Sequence, residues 1–145
     1  MAHPEYPEWL RPEWSVKNPL YARPTTDPSL DWDHLTHPSG LDDSGLLTPS
    51  LTHTFTLGGL AHRRDGPAQV WVGMEYRFYM NNSLHRVDGP ARNYRDRRLE
   101  FWVNGRRHRM DGPAVMISGY APEWWVNGIR LPDNPTDLDI LGALL

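Results

Sequence analysis

The residues of this chain best able to do chemistry lie in three copies of one motif, His-Arg-x-Asp-Gly-Pro-Ala. The copies begin at His62, His85 and His108, and the spacing is 23 residues both times. Imidazoles and carboxylates ligate metal ions and transfer protons, so the motif admits a metal site or a His/Asp-dependent hydrolase or nuclease. The motif residues are His62, Arg63, Asp65, Gly66, Pro67, His85, Arg86, Asp88, Gly89, Pro90, His108, Arg109, Asp111, Gly112 and Pro113.

The spacing argues against chemistry shared between the copies. If each copy contributes two strands, equivalent side chains are separated by roughly 9 to 10 Å, whereas a zinc ion holds its ligands at about 2 Å. We therefore expect no catalytic residue, metal or cofactor and assign the motif a structural role. In that role the Asp accepts from backbone N–H groups at a corner, the Arg reaches a carboxylate or carbonyl, and the His donates to a carbonyl. A ligand or active site is the alternative.

A second pattern with the same period surrounds the motif. Each copy follows an aromatic-led pentad that starts at Phe55, Phe78 or Phe101, and a fourth pentad starts at Trp124. Self-similarity at a fixed period of about 20 to 50 residues is typical of stacked repeats, in which each unit buries its apolar face against its neighbours. The sequence predicts three full repeats and a degenerate fourth.

Turn chemistry predicts the structure of each repeat. Gly-Pro does not fit a central strand, so each Gly-Pro pair is expected to form a corner from which a new strand leaves. The expected strand pairs are 68–72 with 75–80, 91–94 with 98–103, and 114–117 with 123–126. The resulting fold class is mainly β: antiparallel β-hairpin repeats with a period of 23 residues, stacked into an open, elongated sheet.

Aromatic residues form a ladder along the returning strands. Because side chains alternate between the two faces of a strand, Tyr79, Trp102 and Trp125 fall on one face. As an exposed stripe, the ladder would suit recognition of a protein partner. Under a cover formed by another part of the chain, it would be a second core layer.

The net charge of −3 is unevenly distributed. Residues 1–50 hold eight acidic and three basic residues, whereas residues 51–145 hold ten acidic residues and twelve Arg. Seven of these Arg lie between Arg92 and Arg109, among them Arg95, Arg97 and Arg98. This patch is expected to be a solvated face paired with the acidic N-terminal segment. Binding of anions or nucleic acid, which usually needs a broader positive field, is the less favoured alternative.

Eight Pro in the first 50 residues leave no room for a helix of useful length. The same segment holds Trp9, Trp14 and Trp32, and large aromatic residues are unusual in segments that only solvate themselves. We therefore predict an extended arm, residues 1–52, that packs either on its own repeats or on another subunit. Its removal is expected to leave a folded β-protein. The repeat domain would then span residues 53–133.

The last residues, 134–145, predict a short amphipathic helix that caps the repeats. Asn134-Pro135-Thr136-Asp137 supplies an N-cap, a Pro at the first helical position and an acidic first turn, and several Leu follow. The helix is expected either to cover the free edge of the last repeat or to insert into a partner. The chain has no Cys, no signal-peptide pattern and no apolar stretch long enough to span a membrane.

The pentad and motif together, as in residues 78–100 and 101–123, resemble the His-Arg-x-Asp-Gly-Pro-Ala repeats of proteins from bacteriophages and large DNA viruses, a distant variant of MORN-type β-hairpin repeats. The resemblance covers about residues 55–130. It implies a viral setting and an elongated antiparallel sheet, and it supplies no catalytic residues. The usual MORN glycine pattern is not reproduced, so lipid binding is not carried over.

These observations favour a non-enzymatic binding or assembly protein, namely a phage virion component such as a minor capsid, decoration or tail-associated protein. Its arm and repeat face would bind virion subunits or further copies of the chain. The candidate partner-binding residues are Trp9, Trp14, Trp32, Tyr79, Trp102, Trp125, Arg95, Arg97 and Arg98. The alternatives are a phage-encoded inhibitor of a host or defence protein and the hydrolase or nuclease. The protein is expected in the virion or the host cytoplasm and is not expected to bind or span a membrane.

Overall fold

The computed structural model describes residues 7–34 and 40–145. It is mainly β, with antiparallel sheets and a short C-terminal helix, as the sequence predicts. The strands are β1 (Asp31–His34), β2 (Thr52–Leu57), β3 (Leu60–Ala61), β4 (Gln69–Trp71), β5 (Glu75–Arg77), β6 (Tyr79–Met80), β7 (Ser83–Leu84), β8 (Arg92–Tyr94), β9 (Arg98–Glu100), β10 (Trp102–Val103), β11 (Arg106–Arg107), β12 (Val115–Ile117), β13 (Trp124–Val126) and β14 (Ile129–Leu131). Among the described residues, no helix has the length and apolar character needed to cross a membrane.

The main sheet follows the order β1-β2-β4-β5-β8-β9-β12, and β3 pairs with β2 beside this path. All of its pairings are antiparallel. Side chains that lie directly across from one another share a face, and one such row crosses five strands. It consists of Val70, Tyr76, Asn93, Leu99 and Met116. This row is buried, so the core lies on that face of the sheet.

Three short hairpins, β6–β7, β10–β11 and β13–β14, lie outside the main sheet. Their turns are Asn81-Asn82, Asn104-Gly105 and Asn127-Gly128, and every turn residue has a positive φ, which Asn and Gly tolerate and which two-residue hairpin turns require. The prediction of continuous strands over 75–80 and 98–103 is wrong. The first is divided at Phe78 and the second at Phe101. The second halves, β6 and β10, pair with β7 and β11 across the short turns.

Three aromatic residues of the N-terminal arm each pack against a different pentad phenylalanine. The pairs are Trp14 with Phe101, Tyr21 with Phe78, and Trp32 with Phe55, and their ring centroids are 5.4, 6.0 and 5.7 Å apart. Trp14 and Tyr21 are each 5% exposed. The described part of the arm therefore packs on its own chain and belongs to the core. Residues 1–6 and 35–39 of the predicted arm lie outside the described residues.

Two 3₁₀ turns, Pro12–Trp14 and Pro19–Ala22, place the arm's aromatic residues. Each turn has Pro at its start, where a fixed φ is favourable and the missing N–H costs nothing. Between the turns the arm is held by polar contacts with the β8–β9 turn. Asp96, which is 1% exposed, accepts from the Ser15 hydroxyl at 2.6 Å and the Val16 N–H at 2.8 Å. Asn93 donates to the Trp14 carbonyl and to Asp96, both at 2.8 Å.

The helix α1 spans Asp137–Leu144 and begins two residues later than the sequence indicates. Thr136, rather than Asn134, is the N-cap: its hydroxyl accepts from the Asp139 N–H while the Asp139 carboxylate accepts from the Thr136 N–H. This reciprocal pair is a capping box. Ile140 and Ala143 pack against the β13–β14 hairpin. The helix therefore packs on the last repeat of its own chain, in line with the expectation that it caps the repeats.

Because the arm contributes to the core, we expect Trp14→Ala to destabilise the protein strongly and no longer expect the arm to be dispensable for folding. Truncating a buried aromatic residue to Ala costs about 3–5 kcal/mol. Leu20→Ala, in the same arm but 53% exposed, is the control and should cost less than about 1 kcal/mol. Urea unfolding of the full chain measures both, and equal midpoints for the two variants would contradict the packing described.

Candidate functional site

Each motif arginine lies against the ring of the pentad phenylalanine that precedes it. The guanidinium carbon is 4.2 or 4.3 Å from the ring centroid in the three pairs Arg63–Phe55, Arg86–Phe78 and Arg109–Phe101. Such a cation–π contact is worth about 0.5 to 2 kcal/mol, more when desolvated. The motif glycine also lies against the guanidinium. A Cβ built on Gly66, Gly89 or Gly112 would come within 2.7 to 2.9 Å of the guanidinium carbon. The motif therefore needs a residue without a side chain at this position.

Two hydrogen bonds of the motif arginine recur in every copy. Nε donates to the Asp carboxylate at 2.7–2.9 Å, and Nη1 donates to the Pro carbonyl at 3.1–3.3 Å. The Arg thus binds a carboxylate and a carbonyl, as the sequence predicts. The Asp was expected to accept from backbone N–H groups, but the partner common to all three copies is the arginine Nε. The triplets are Arg63, Asp65 and Pro67; Arg86, Asp88 and Pro90; and Arg109, Asp111 and Pro113.

The motif histidine accepts a hydrogen bond, although the sequence analysis predicts that it donates one. Its Nδ1 accepts a backbone N–H from the first turn residue of the next short hairpin, 19 residues later, at 3.0–3.1 Å. The pairs are His62 with Asn81, His85 with Asn104, and His108 with Asn127. Accepting at Nδ1 requires that this nitrogen carry no proton. The histidine therefore ties its own motif copy to the following hairpin.

The arm gives each motif arginine at least one further contact, and arm and motif run in opposite chain directions. The contacts are Arg63 Nη2 to the Arg23 carbonyl (2.8 Å), Arg86 Nη2 to the Tyr21 hydroxyl (3.2 Å), and the Arg109 guanidinium over the Trp14 ring (5.6 Å to the centroid). The motif row is therefore the surface on which the arm is bound.

Asp65 holds the arm most directly, because it accepts the Thr26 N–H at 2.7 Å and the Thr25 hydroxyl at 3.1 Å. Burial raises the pKa of Asp65, but the hydrogen bonds from Thr26 and Arg63 and the charge of Arg63 outweigh it and lower the pKa to about 2. Asp88 and Asp111, at the same motif position, are largely exposed. The carboxylates of the three copies therefore differ in environment although their arginine bond is the same.

Two equivalent grooves lie between successive motif copies. Groove A, between the first and second copies, has a volume of about 470 Å³ and is lined by Phe78 and Met80. Groove B, between the second and third copies, has a volume of about 510 Å³ and is lined by Phe101 and Val103. Concave, mainly apolar surfaces with a few charged groups are typical of binding sites.

The walls of the grooves combine exposed apolar residues with the motif's charged groups. Val87, which is 81% exposed, lines both grooves, and Met110, which is 50% exposed, lines groove B. The arm contributes Tyr21 to groove A and Trp14 to groove B. The motif contributes its His, Arg and Asp residues: Arg63, Asp65, His85, Arg86 and Asp88 in groove A, and Arg86, Asp88, His108, Arg109 and Asp111 in groove B.

Val87 and Met110 are not among the residues predicted to bind a partner. They occupy the x position of the motif, where the first copy has Arg64. A signal for them exists. The x position is the one position that varies among the three copies, and two of its residues are apolar in a segment otherwise rich in charge. Exposed apolar residues beside charged ones mark interaction surfaces.

The arm tryptophans that were candidates for partner binding pack on the chain itself. Trp14 lies in the core, so it is not available as a separate partner surface, although it is among the residues that line groove B. Trp9 is half-buried against the same cluster. Trp32 is stacked on Phe55, with an angle of 20° between the ring planes.

The aromatic ladder is half-buried and carries an arginine. The Arg107 guanidinium carbon is 5.3 Å from the Trp102 ring centroid and 5.1 Å from that of Trp125. The Trp125 Nε1 donates to Glu123, and Tyr79 is likewise half-buried. The ladder is therefore neither a bare exposed stripe nor a fully covered core layer.

The basic patch is partly neutralised by the main sheet. Glu100 is buried and accepts from Arg92 at 3.2 Å and from Arg98 at 3.0 Å. Burial raises the pKa of Glu100, but the hydrogen bonds and charges of Arg98 and Arg92 outweigh it and lower the pKa. Arg95 and Arg97 are exposed. Within the described ranges, the ion pairs of the patch are with sheet and motif carboxylates, and not with the acidic N-terminal segment as one expectation held.

Over residues 7–34 and 40–145, no group of three or more His, Asp or Glu side chains is arranged to hold a metal ion. Comparisons of the chain with protein-family models, curated proteins and solved structures find no match. The function must therefore be argued from the geometry of the motif and its grooves.

We expect Gly89→Ala to destabilise the protein by about 1–3 kcal/mol, as overpacking does. The new Cβ would lie 2.9 Å from the Arg86 guanidinium carbon and 3.0 Å from the Trp14 Nε1, so the arginine must leave its ring or the arm must shift. Gly142→Ala is the matched control: its Cβ meets nothing within 4 Å, and in the interior of α1 it should stabilise by up to about 1 kcal/mol. Thermal unfolding measures the Tm of both variants. If neither substitution lowered the Tm, or if both did, the role assigned to Gly89 would be contradicted.

The low pKa of Asp65 gives a second test. A carboxyl whose pKa in the folded state lies below its ordinary value of 3.8 stabilises the fold above that value, and this contribution is lost as the pH falls towards about 2. The stability difference between wild type and Asp65→Asn should therefore be largest above about pH 4 and shrink towards pH 2 in urea unfolding. Asp88→Asn, 81% exposed in its side chain, is the control and should change stability less at neutral pH. A constant difference for Asp65→Asn would contradict the assignment.

Proposed function

We propose that the chain is a non-enzymatic protein-binding and assembly protein that holds a segment of a protein partner in grooves A and B. One observation carries this proposal. The Arg, Asp and His side chains of the motif make the same contacts within the chain in every copy, and two of the exposed residues beside them, Val87 and Met110, are apolar.

The engagement of the motif side chains disfavours catalysis. An acid–base centre needs groups free to exchange protons with a substrate, but the histidine Nδ1 accepts a turn N–H, which leaves Nε2 alone for that role, and the Asp is paired with the arginine. The arginine is in turn fixed by a ring and a carbonyl. All three copies repeat these contacts, which suits a structural element better than three active sites in one small chain.

The grooves have the composition of a protein-binding surface. Interfaces combine apolar contacts at the centre with a charged or polar rim, and aromatic residues, Met and Arg are enriched in them. Grooves A and B contain Phe, Met or Val at the floor and Arg, His and Asp around it. Exposed Leu residues of α1, Leu138 and Leu141, offer a second apolar surface to a neighbouring subunit.

We further propose that the molecule is an array of 23-residue hairpin repeats stacked into an open, elongated sheet. The sequential order of β4, β5, β8, β9 and β12 along the main sheet supports this arrangement, as do motif contacts that recur in all three copies. Such arrays present extended binding surfaces. The resemblance to phage and large-virus repeat proteins supports a viral setting, in which the partner is a virion subunit.

Within that setting, binding of neighbouring subunits falls to the grooves and the C-terminal helix, because the arm is occupied by its own chain. An inhibitor of a host or defence protein would use the same grooves, and the identity of the partner separates the two functions.

A photo-cross-linking amino acid placed at position 87 or 110 tests the proposal. In cells or virions that contain the natural partner, we expect one protein to cross-link at both positions. Position 129 is the control, because Ile129 is 52% exposed but does not line either groove. Cross-linking from position 110 should be lost when Val87→Asp is also present. A partner that cross-links only at position 129, or an activity abolished by His85→Ala with unchanged stability, would contradict protein binding through the grooves.

A further inference from the structure

The arm shows what kind of chain the motif row binds. Pro-x-aromatic occurs four times in its sequence, as Pro4-Glu5-Tyr6, Pro7-Glu8-Trp9, Pro12-Glu13-Trp14 and Pro19-Leu20-Tyr21. Beside the two 3₁₀ turns, the backbone angles are those of polyproline II: φ and ψ are −81° and 138° at Arg11, −62° and 141° at Ser15, and −77° and 139° at Arg23. The row therefore already holds a proline-rich, extended segment through aromatic side chains.

The chemistry of grooves A and B suits the same kind of chain. Proline-rich segments dock into grooves lined by aromatic rings, and their preformed conformation keeps the entropy cost of binding low. Groove A has the rings of Tyr21 and Phe78 in its lining, and groove B those of Trp14 and Phe101. Because each motif arginine is paired with its own aspartate, these arginines do not favour an acidic segment over an uncharged apolar one.

The offset between the grooves selects a spacing in the bound segment. Groove B is one motif copy further along the row than groove A, which corresponds to two strands of the main sheet and so to roughly 9 to 10 Å. A polyproline II helix rises about 3.1 Å per residue with three residues per turn. Its residues i and i+3 therefore point the same way and are separated by about 9 Å. In an extended β-strand, residues on one face are about 6.7 or 13 Å apart instead.

We propose that grooves A and B bind a proline-rich polyproline II segment of the partner, with one apolar side chain in each groove at positions i and i+3. Val87 lies at the shared wall of the two grooves and contacts both side chains, and Met110 contacts the one in groove B. This inference rests on the proposed function and specifies its ligand.

The full-length chain and two synthetic peptides of identical composition test it. The first, acetyl-Pro-Leu-Pro-Pro-Leu-Pro-amide, has its Leu residues at i and i+3; the second, acetyl-Pro-Leu-Pro-Pro-Pro-Leu-amide, has them at i and i+4. By isothermal titration calorimetry we expect the first to bind about tenfold or more tightly than the second, because the second cannot bury both Leu side chains.

Substitutions in the grooves locate the binding. Val87→Asp should weaken the first peptide about tenfold or more, and Met110→Asp should weaken it less, since only groove B is changed. Ile129→Asp, outside the grooves, should leave the affinity unchanged. Val87 is too exposed for its replacement to unfold the chain, and an unchanged urea midpoint verifies this.

The other outcomes each overturn the inference in a distinct way. Failure of both peptides to bind, with a protein partner still cross-linking at positions 87 and 110, would reject the polyproline ligand but leave the proposed function standing. Equal binding of the two peptides would reject the spacing. Self-association of the chain that Val87→Asp abolishes would identify a second copy as the occupant. Loss of both peptide binding and cross-linking at the grooves would remove the proposed function as well.

Discussion

The contact of each motif arginine with a phenylalanine ring and a glycine is the interaction on which the rest of the structure depends. A guanidinium is planar and carries its donors in a fixed fork, so a ring that orients the plane also aims the donors. Nε then meets the Asp and Nη1 the Pro carbonyl, which holds the corner where the chain enters the next strand. The motif Ala that follows is fully buried in all three copies. Every residue type of the motif except x has a contact that accounts for it.

The arm depends on this contact because it binds to the arginines that the contact holds in place. At Arg63 and Arg86 the arm accepts a hydrogen bond from Nη2, and at Arg109 the ring of Trp14 lies against the guanidinium. Ordering an extended segment costs about 1–2 kcal/mol per residue in backbone entropy. Proline lowers that cost because it restricts the unfolded chain. The arm's three aromatic contacts, one for each pentad phenylalanine, supply the burial that offsets the remainder.

Much of this arrangement follows from residue types and spacing, and the part that does not has a physical reason. Gly-Pro at a period of 23 indicates corners between strands, and a Pro-rich segment with three Trp indicates an extended arm that must pack. The Asn-Gly pairs at Asn104 and Asn127 indicate two-residue hairpin turns, but they also end the aromatic pentads, so the pentad pattern conceals the division of the returning strand at Phe101. The grooves were beyond reach, because they exist only between motif copies that are adjacent in space.

The partner of the arm was also beyond reach, because Asn93 and Asp96 bind the arm at Trp14, Ser15 and Val16, which lie 79 to 81 residues earlier in the chain. Their positions nevertheless stand out in one respect. At the equivalent places 23 residues before and after, the chain has Val70 and Met116 instead of Asn93, and Gly73 and Gly119 instead of Asp96.

That difference determines where the arm binds along a surface made of similar repeats. An arm that bonds similarly to each motif copy would have several alignments of nearly equal free energy, each displaced from the next by one copy. Asn93 and Asp96 occur at one place in the series, and a buried carboxylate left without donors is costly. Every slipped alignment would take the Ser15 and Val16 donors away from that carboxylate and leave it with Asn93 alone, so this polar pair favours one alignment of the arm.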